Sequence, residues 1–235
     1  MLGLLVYPFT LTLGVIVSAW AWERSGPALE ARQKQAIFFG CLVGMALGSK
    51  LSYVLAEGWL HPSWLDWLHG KSVTGALLGG YAGVELAKRH VHMKAPTGDT
   101  FALLAPFSIA LGRIGCLTQG CCLGVPVRKA AWAMHDASGI ARWPAATVEL
   151  AFNVVAFVVI AVLLRRRRAG VRDALHGQLF HVYLMAYGIF RFWHETLRDT
   201  PRVYGSLTGY QAIAALIFAL GAAGFLRRRS GIMDS

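Results

Sequence analysis

Acidic residues are scarce in this chain. Twelve Asp and Glu stand against 23 Lys and Arg in 235 residues, and charged residues of both signs make up only 15%. With 56% hydrophobic residues, that scarcity excludes an ordinary soluble domain. Apolar stretches of near twenty residues recur instead, the signature of a polytopic helical membrane protein. A continuous basic stripe is also missing. The cations cluster at the ends of apolar segments, at Lys88-Arg89, Arg165 to Arg168 and Arg227 to Arg229. Positive charge orients membrane spans in this way, whereas a nucleic-acid groove is lined more evenly. Nucleic acid is therefore not an expected partner. The first apolar run lacks a basic leader, so it reads as a retained span rather than a cleaved signal peptide. Cysteine is sparse, four in all, and its spacing is not a zinc pattern, since two adjacent cysteines poorly serve tetrahedral coordination. No cofactor or resident metal is expected.

What the chain does contain is seven apolar segments in one all-α integral membrane domain covering residues 1–235. They run from about Leu2 to Trp22, Gln35 to Gly58, Ser72 to Ala87, Thr100 to Thr118, Ala145 to Leu164, Gln178 to Leu197 and Ser206 to Leu226. The third is glycine-rich and short enough to be a full crossing or a re-entrant piece. A tryptophan-rich connector, Trp59 to His69, suits a membrane interface. Basic loops at 23–34, 88–94 and 165–172, with the basic C-terminal tail, place the N-terminus out and the C-terminus in. Lys71, Arg128, Lys129, Arg142 and Arg202 fall in the outer loops against that bias.

The chemistry centres on Gly112 to Gly124, where an apolar run closes on Arg113, Cys116, Gln119, Cys121 and Cys122. An intramembrane arginine is a functional-site hypothesis by default. At ~1.5 Å rise per residue, Arg113, Glu149, Arg191, Glu195 and Arg198 converge on one depth near the outer face. Tyr187, Arg191, Glu195 and Arg198 recur at helical spacing and stack on one face. The bland reading is an Arg191–Glu195 ion pair with Arg198 snorkelling to the headgroups. The functional reading is a cationic clamp for phosphate, because guanidinium forks match phosphoryl oxygens. Glu149 either complements a helix N-terminus, pairs with Arg113, or acts as a base. Cys41 reads as packing. For Cys116, Cys121 and Cys122 three readings stand: a disulfide or plain packing, a thiolate nucleophile, or metal and redox handling with His61 or His69.

Gly112-Arg113-Ile114-Gly115 with Gln119-Gly120 and Gly124 resembles the signature of bacterial prolipoprotein diacylglyceryl transferases. Pro144 to Glu149, Tyr187 to Arg191 with Glu195 and Arg198, the stretch Ser72 to Gly79, and Gln211 are similar to further segments of that family, in order along nearly the whole chain. The resemblance implies a seven-span enzyme of the bacterial inner (cytoplasmic) membrane. It would transfer the diacylglyceryl group of phosphatidylglycerol to the lipobox cysteine of a prolipoprotein signal peptide, releasing glycerol phosphate. By the same resemblance Arg113 and Arg191 hold the phosphate, and Glu149, Glu195 and Arg198 organise the headgroup and charge network. Thr74, Gly75, Gln119, Tyr187 and Gln211 would complete the substrate site. Thr74 stands where the family carries a histidine base, Cys116 where it carries asparagine, and Cys121 at an acidic position. A related transferase with another acceptor, and a thiol- or metal-handling transporter, are the alternatives.

Overall fold

The computed structural model describes residues 2–25, 27–60, 63–128, 130–171 and 174–229. His61, Lys129 and the tail beyond Arg229 lie outside the described residues. The fold is helical, with α1 (Leu2–Ser25), α2 (Ala31–Ala56), α3 (Trp64–His69), α4 (Val73–His90), α5 (Gly98–Gln119), α6 (Ala145–Arg168), α7 (Leu179–His194) and α8 (Gly209–Arg229). Each apolar segment read from the sequence falls on one of the seven longer helices. Among the described residues, four helices (α2, α5, α6 and α8) are long and apolar enough to cross a membrane. The tryptophan-rich connector forms a 3-10 turn, Gly58–Leu60, and α3. Basic residues occupy the last turns of α4, α6 and α8, where cations complement the negative end of the helix dipole.

The chain forms two compact units. The first comprises Met1–Ala21, Thr100–His176 and Thr196–Asp199. In it α1 and α5 meet at Gly115, where a side chain would strike Tyr7 and Thr10, and the Ser18 and Ser108 hydroxyls bond at 3.0 Å. The loop between α5 and α6 carries a two-stranded hairpin, β1 (Met134–His135) with β2 (Ala141–Arg142), pairing Met134 with Arg142 and His135 with Ala141. Asp136 closes its turn by accepting from the Ser138 and Ile140 amides at 2.9 and 3.0 Å.

The second unit comprises Trp22–Asp99, Gly177–Glu195 and Thr200–Ser235. Its main seam is a glycine ladder. Gly40, Gly44 and Gly48 of α2 face Gly83, Gly79 and Gly75 of α4, and a Cβ at any of them would meet backbone of the facing helix. Two small-xxx-small runs let the backbones approach closely, which is how helices associate where no hydrophobic force acts between them. Thus α4 is one continuous helix of 18 residues, and its glycines pack against α2. Helices α7 and α8 pack similarly, Gly188 against Ala214 and Phe218, and Gly221 against His181 and Leu184. A short hairpin, β3 (Arg202–Tyr204) with β4 (Leu207–Thr208), leads into α8.

Candidate active site

In the first unit, α5 and α6 each deliver one ionisable group to a buried contact. Arg113, near the end of α5, sets Nη2 2.8 Å from Oε2 of Glu149, on the second turn of α6. Glu149 is 0% exposed and Arg113 only 6%. Arg198 brings a second guanidinium to the same carboxylate oxygen, with Nη1 at 3.9 Å. One turn along α6, the fully buried Asn153 donates from Nδ2 to the Glu149 carbonyl at 2.8 Å. Asn153 was not legible as a site residue; its signal was a polar side chain one helical turn from Glu149 in an otherwise apolar run.

Backbone pairing holds Arg198 there. The extended strip after the cysteine pair bonds on both edges: the Gly124 amide to Trp143 carbonyl at 2.8 Å, and the Val125 amide to Leu197 carbonyl at 3.0 Å. Gly124 bridges Arg198 directly, and any side chain at Gly124 would strike the Leu197 carbonyl and the Trp143 side chain. Outside this strip, Arg142 clasps Asp136 at 2.9 Å and Asp199 at 2.7 Å. Strand pairing thus fixes the backbone at Arg198, which lies beyond the end of α7. Helix α7 stops at His194, a 3-10 turn spans Glu195–Leu197, and the tighter turn ends the helical periodicity there.

The cysteines lie beside this group. The Sγ atoms of Cys116, Cys121 and Cys122 all lie within 4.8 Å of one another, and all three are free thiols. Arg113 Nη1 points to Cys116 Sγ at 3.7 Å. Neighbouring side chains on extended backbone diverge, which is why an adjacent pair serves one centre poorly. Here Cys122 adopts a left-handed conformation, φ 59°, just after Gly120 at φ 63°, and both thiols reach the same centre. Hydrogen bonds from Cys116 and Cys121, with the charges of Arg113 and Arg198 behind them, pull the Cys122 thiol well below the usual range against the opposing effect of burial. The same hydrogen bonds push Cys121 up. Gln119, exposed at the end of α5, accepts from Cys121 Sγ at 3.9 Å. His61 lies outside the described residues, and His69 belongs to the other unit.

The second unit holds the remaining expected residues. Arg191 and Glu195 pair at 2.7 Å, both buried, and Thr200 donates to Glu195 Oε1 at 2.7 Å. Tyr187 is fully buried on the same helix, its ring 5.9 Å from that of Tyr183. His194, also buried, stacks on Phe190 at 5.0 Å. Thr74 shares a 2.6 Å hydrogen bond with Ser72, the residue whose hydroxyl caps α4 by accepting from the Gly75 amide. Gly75 itself is part of the glycine ladder against Gly48 and Ser52. Gln211 completes a capping box: Thr208 Oγ1 accepts from the Gln211 amide at 3.1 Å, and Gln211 Oε1 accepts from the Thr208 amide at 3.0 Å. Its Nε2 donates to the Phe192 carbonyl. Gly75 and Gln211 are thus accounted for by packing and capping.

Arg113 of α5 and Arg198, which follows the 3-10 turn, meet one buried carboxylate of α6, and both α5 and α6 are long and apolar enough to cross a membrane. The prolipoprotein diacylglyceryl transferase family model matches residues 2–227, and the chain belongs to that family. Its relatives include the phosphatidylglycerol–prolipoprotein diacylglyceryl transferase of Geobacter sulfurreducens, 30% identical over 83% of this chain and 76% of the relative. The Vibrio vulnificus protein of the same name is 26% identical over 91% and 80%, and that of Thermotoga maritima 29% over 83% and 70%.

Proposed function

We propose that this protein transfers the diacylglyceryl group of phosphatidylglycerol to the cysteine thiol of a prolipoprotein. The observation that carries the reading is the Arg113–Glu149–Arg198 group. Two guanidinium groups converge on one fully buried carboxylate oxygen, and guanidinium forks match the oxygens of a phosphodiester headgroup. In the reaction the thiol sulfur attacks the terminal glyceryl carbon. The new C–S bond forms as the C–O bond to phosphate breaks, and glycerol phosphate leaves. The leaving phosphate gains charge in a site withdrawn from water, where fixed guanidiniums stabilise it most. It also becomes a monoester with a second pKa of about 6, basic enough to receive the thiol's proton. A histidine at position 74 is then not required. Gln119 would lie at the mouth of the site.

In this reading the seven longer helices span the inner membrane with the N-terminus out, and the prolipoprotein signal peptide approaches from the outer side. The basic last turns of α4, α6 and α8 support that orientation. The test is glycerol phosphate release by purified protein in phosphatidylglycerol micelles. Release that depends on a lipobox peptide is the expected result. Release without peptide would assign the acceptor elsewhere, and no release would overturn the reading.

A further inference from the structure

We infer that Cys116, Cys121 and Cys122 form a binding site for a single thiophilic d10 metal ion. This inference does not depend on the transferase reading, although Arg113 and Arg198 serve in both. Three sulfurs already converge, each within 4.8 Å of the others. With a metal–sulfur bond of ~2.3 Å, a metal at the centre of three thiolates needs sulfurs roughly 4 Å apart. A movement of under about an ångström closes the site. The thiols come from different local structures, Cys116 from the last turn of α5 and the other two from the turn beyond it.

The backbone is arranged for convergence. A left-handed conformation at a residue with a side chain is uncommon and persists only where its surroundings fix it. At Cys122 it is what returns the second thiol of an adjacent pair to the first. The electrostatics agree. Three thiolates around one cation form an anionic centre, and Arg113 and Arg198 supply positive charge in the same unit, Arg113 at 3.7 Å from Cys116 Sγ. Soft thiolate ligands select Cu(I) and Zn(II) over oxygen-seeking cations. Three sulfurs complete a Cu(I) site, whereas Zn(II) would add a fourth ligand, with the Gln119 side-chain oxygen nearby.

The experiment uses full-length reduced protein in detergent micelles, titrated separately with Cu(I) and Zn(II) against a coloured competing chelator. The expected result is one equivalent of metal per chain, with X-ray absorption showing three sulfur neighbours. Three-coordinate sulfur identifies Cu(I), and a fourth light-atom ligand identifies Zn(II). Cys116→Ser, Cys121→Ser and Cys122→Ser should each weaken binding by at least ~10-fold, while Cys41→Ser, in the other unit, should leave it unchanged. Neither ion binding to the unaltered protein, or fewer than three sulfurs around a bound ion, would overturn the site. So would a disulfide between two of these cysteines in protein trapped with a thiol-blocking reagent at cell lysis. Those readouts hold whether or not the serine variants fold.

Discussion

Arg113 holds Glu149 at 2.8 Å in a place where the carboxylate has no solvent at all. Removing one partner from such a pair leaves a buried charge uncompensated, at a cost of ~3–5 kcal/mol. Glu149→Ala should therefore lower thermal stability in detergent markedly. Glu149→Gln should keep more stability but lose transfer. Arg113→Lys should retain the fold and lose activity by ~100-fold or more, since an ammonium cannot reproduce the planar fork. Glycerol phosphate release and a melting curve, measured on the same samples, separate the two effects. Full activity in Arg113→Lys would sink the assignment.

The glycine ladder predicts a different kind of damage. Gly79→Val forces a branched side chain onto the Gly44 carbonyl, and neither helix backbone has room to yield. Overpacking costs ~1–3 kcal/mol or more. Melting should fall steeply, while Gly120→Ala, with open space around its Cβ position but φ of 63°, should cost less. Equal melting temperatures for Gly79→Val and the parent protein would contradict the seam.

Thiol reactivity gives a third check. Because the Cys122 thiol is held below its ordinary range and Cys121 above it, lowering the pH should protonate Cys121 first. Alkylation followed by mass spectrometry, at about two pH units below the ordinary thiol pKa of ~8.5, should label Cys122 in preference to Cys121. The opposite order would refute the hydrogen-bond direction inside the cluster.

Arg142 makes two ion pairs, but it and its partners are partly exposed, so screening leaves each pair little to contribute to stability. Arg142→Ala should barely move the melting temperature. Transfer should still fall several-fold, because Arg142 fastens Asp199 next to Arg198. The Asp136 carboxyl is held below its usual value by the Ile140 amide and by Arg142. A lowered folded-state pKa stabilises above the ordinary carboxylate range, and the effect disappears as pH falls through the lowered value. The protection factor of the Ile140 amide should hold down to ordinary carboxylate pH and drop only below it.

The residues explain which of these features could be read without coordinates. Helical segments and the Arg113–Glu149 pair were legible, since long apolar runs and isolated charges within them have few alternative explanations. The glycines of α2 and α4 were visible but ambiguous, because spacing alone does not separate a close-packed seam from a broken span. Helical spacing alone did not reveal the contact of Arg198 with Glu149, because it carries the periodicity of α7 past His194, where the backbone tightens. The capping box Thr208-Gly209-Tyr210-Gln211 was legible in the sequence but was not read there. Cysteine adjacency argued against a shared centre because a left-handed Cys122 is not written in composition or spacing.

The first unit draws on three separated stretches of chain, the last being only Thr196–Asp199. During synthesis, Arg113 and Glu149 leave the ribosome well before Arg198. Their ion pair can assemble while α7 is still being made, and the second guanidinium must be added afterwards by the pairing of Leu197 and Arg198 with Gly124 and Val125. A chain truncated within α7 would therefore carry the helices of that unit and still lack its second guanidinium. Order of emergence makes the complete Arg113–Glu149–Arg198 cluster one of the later things this protein acquires.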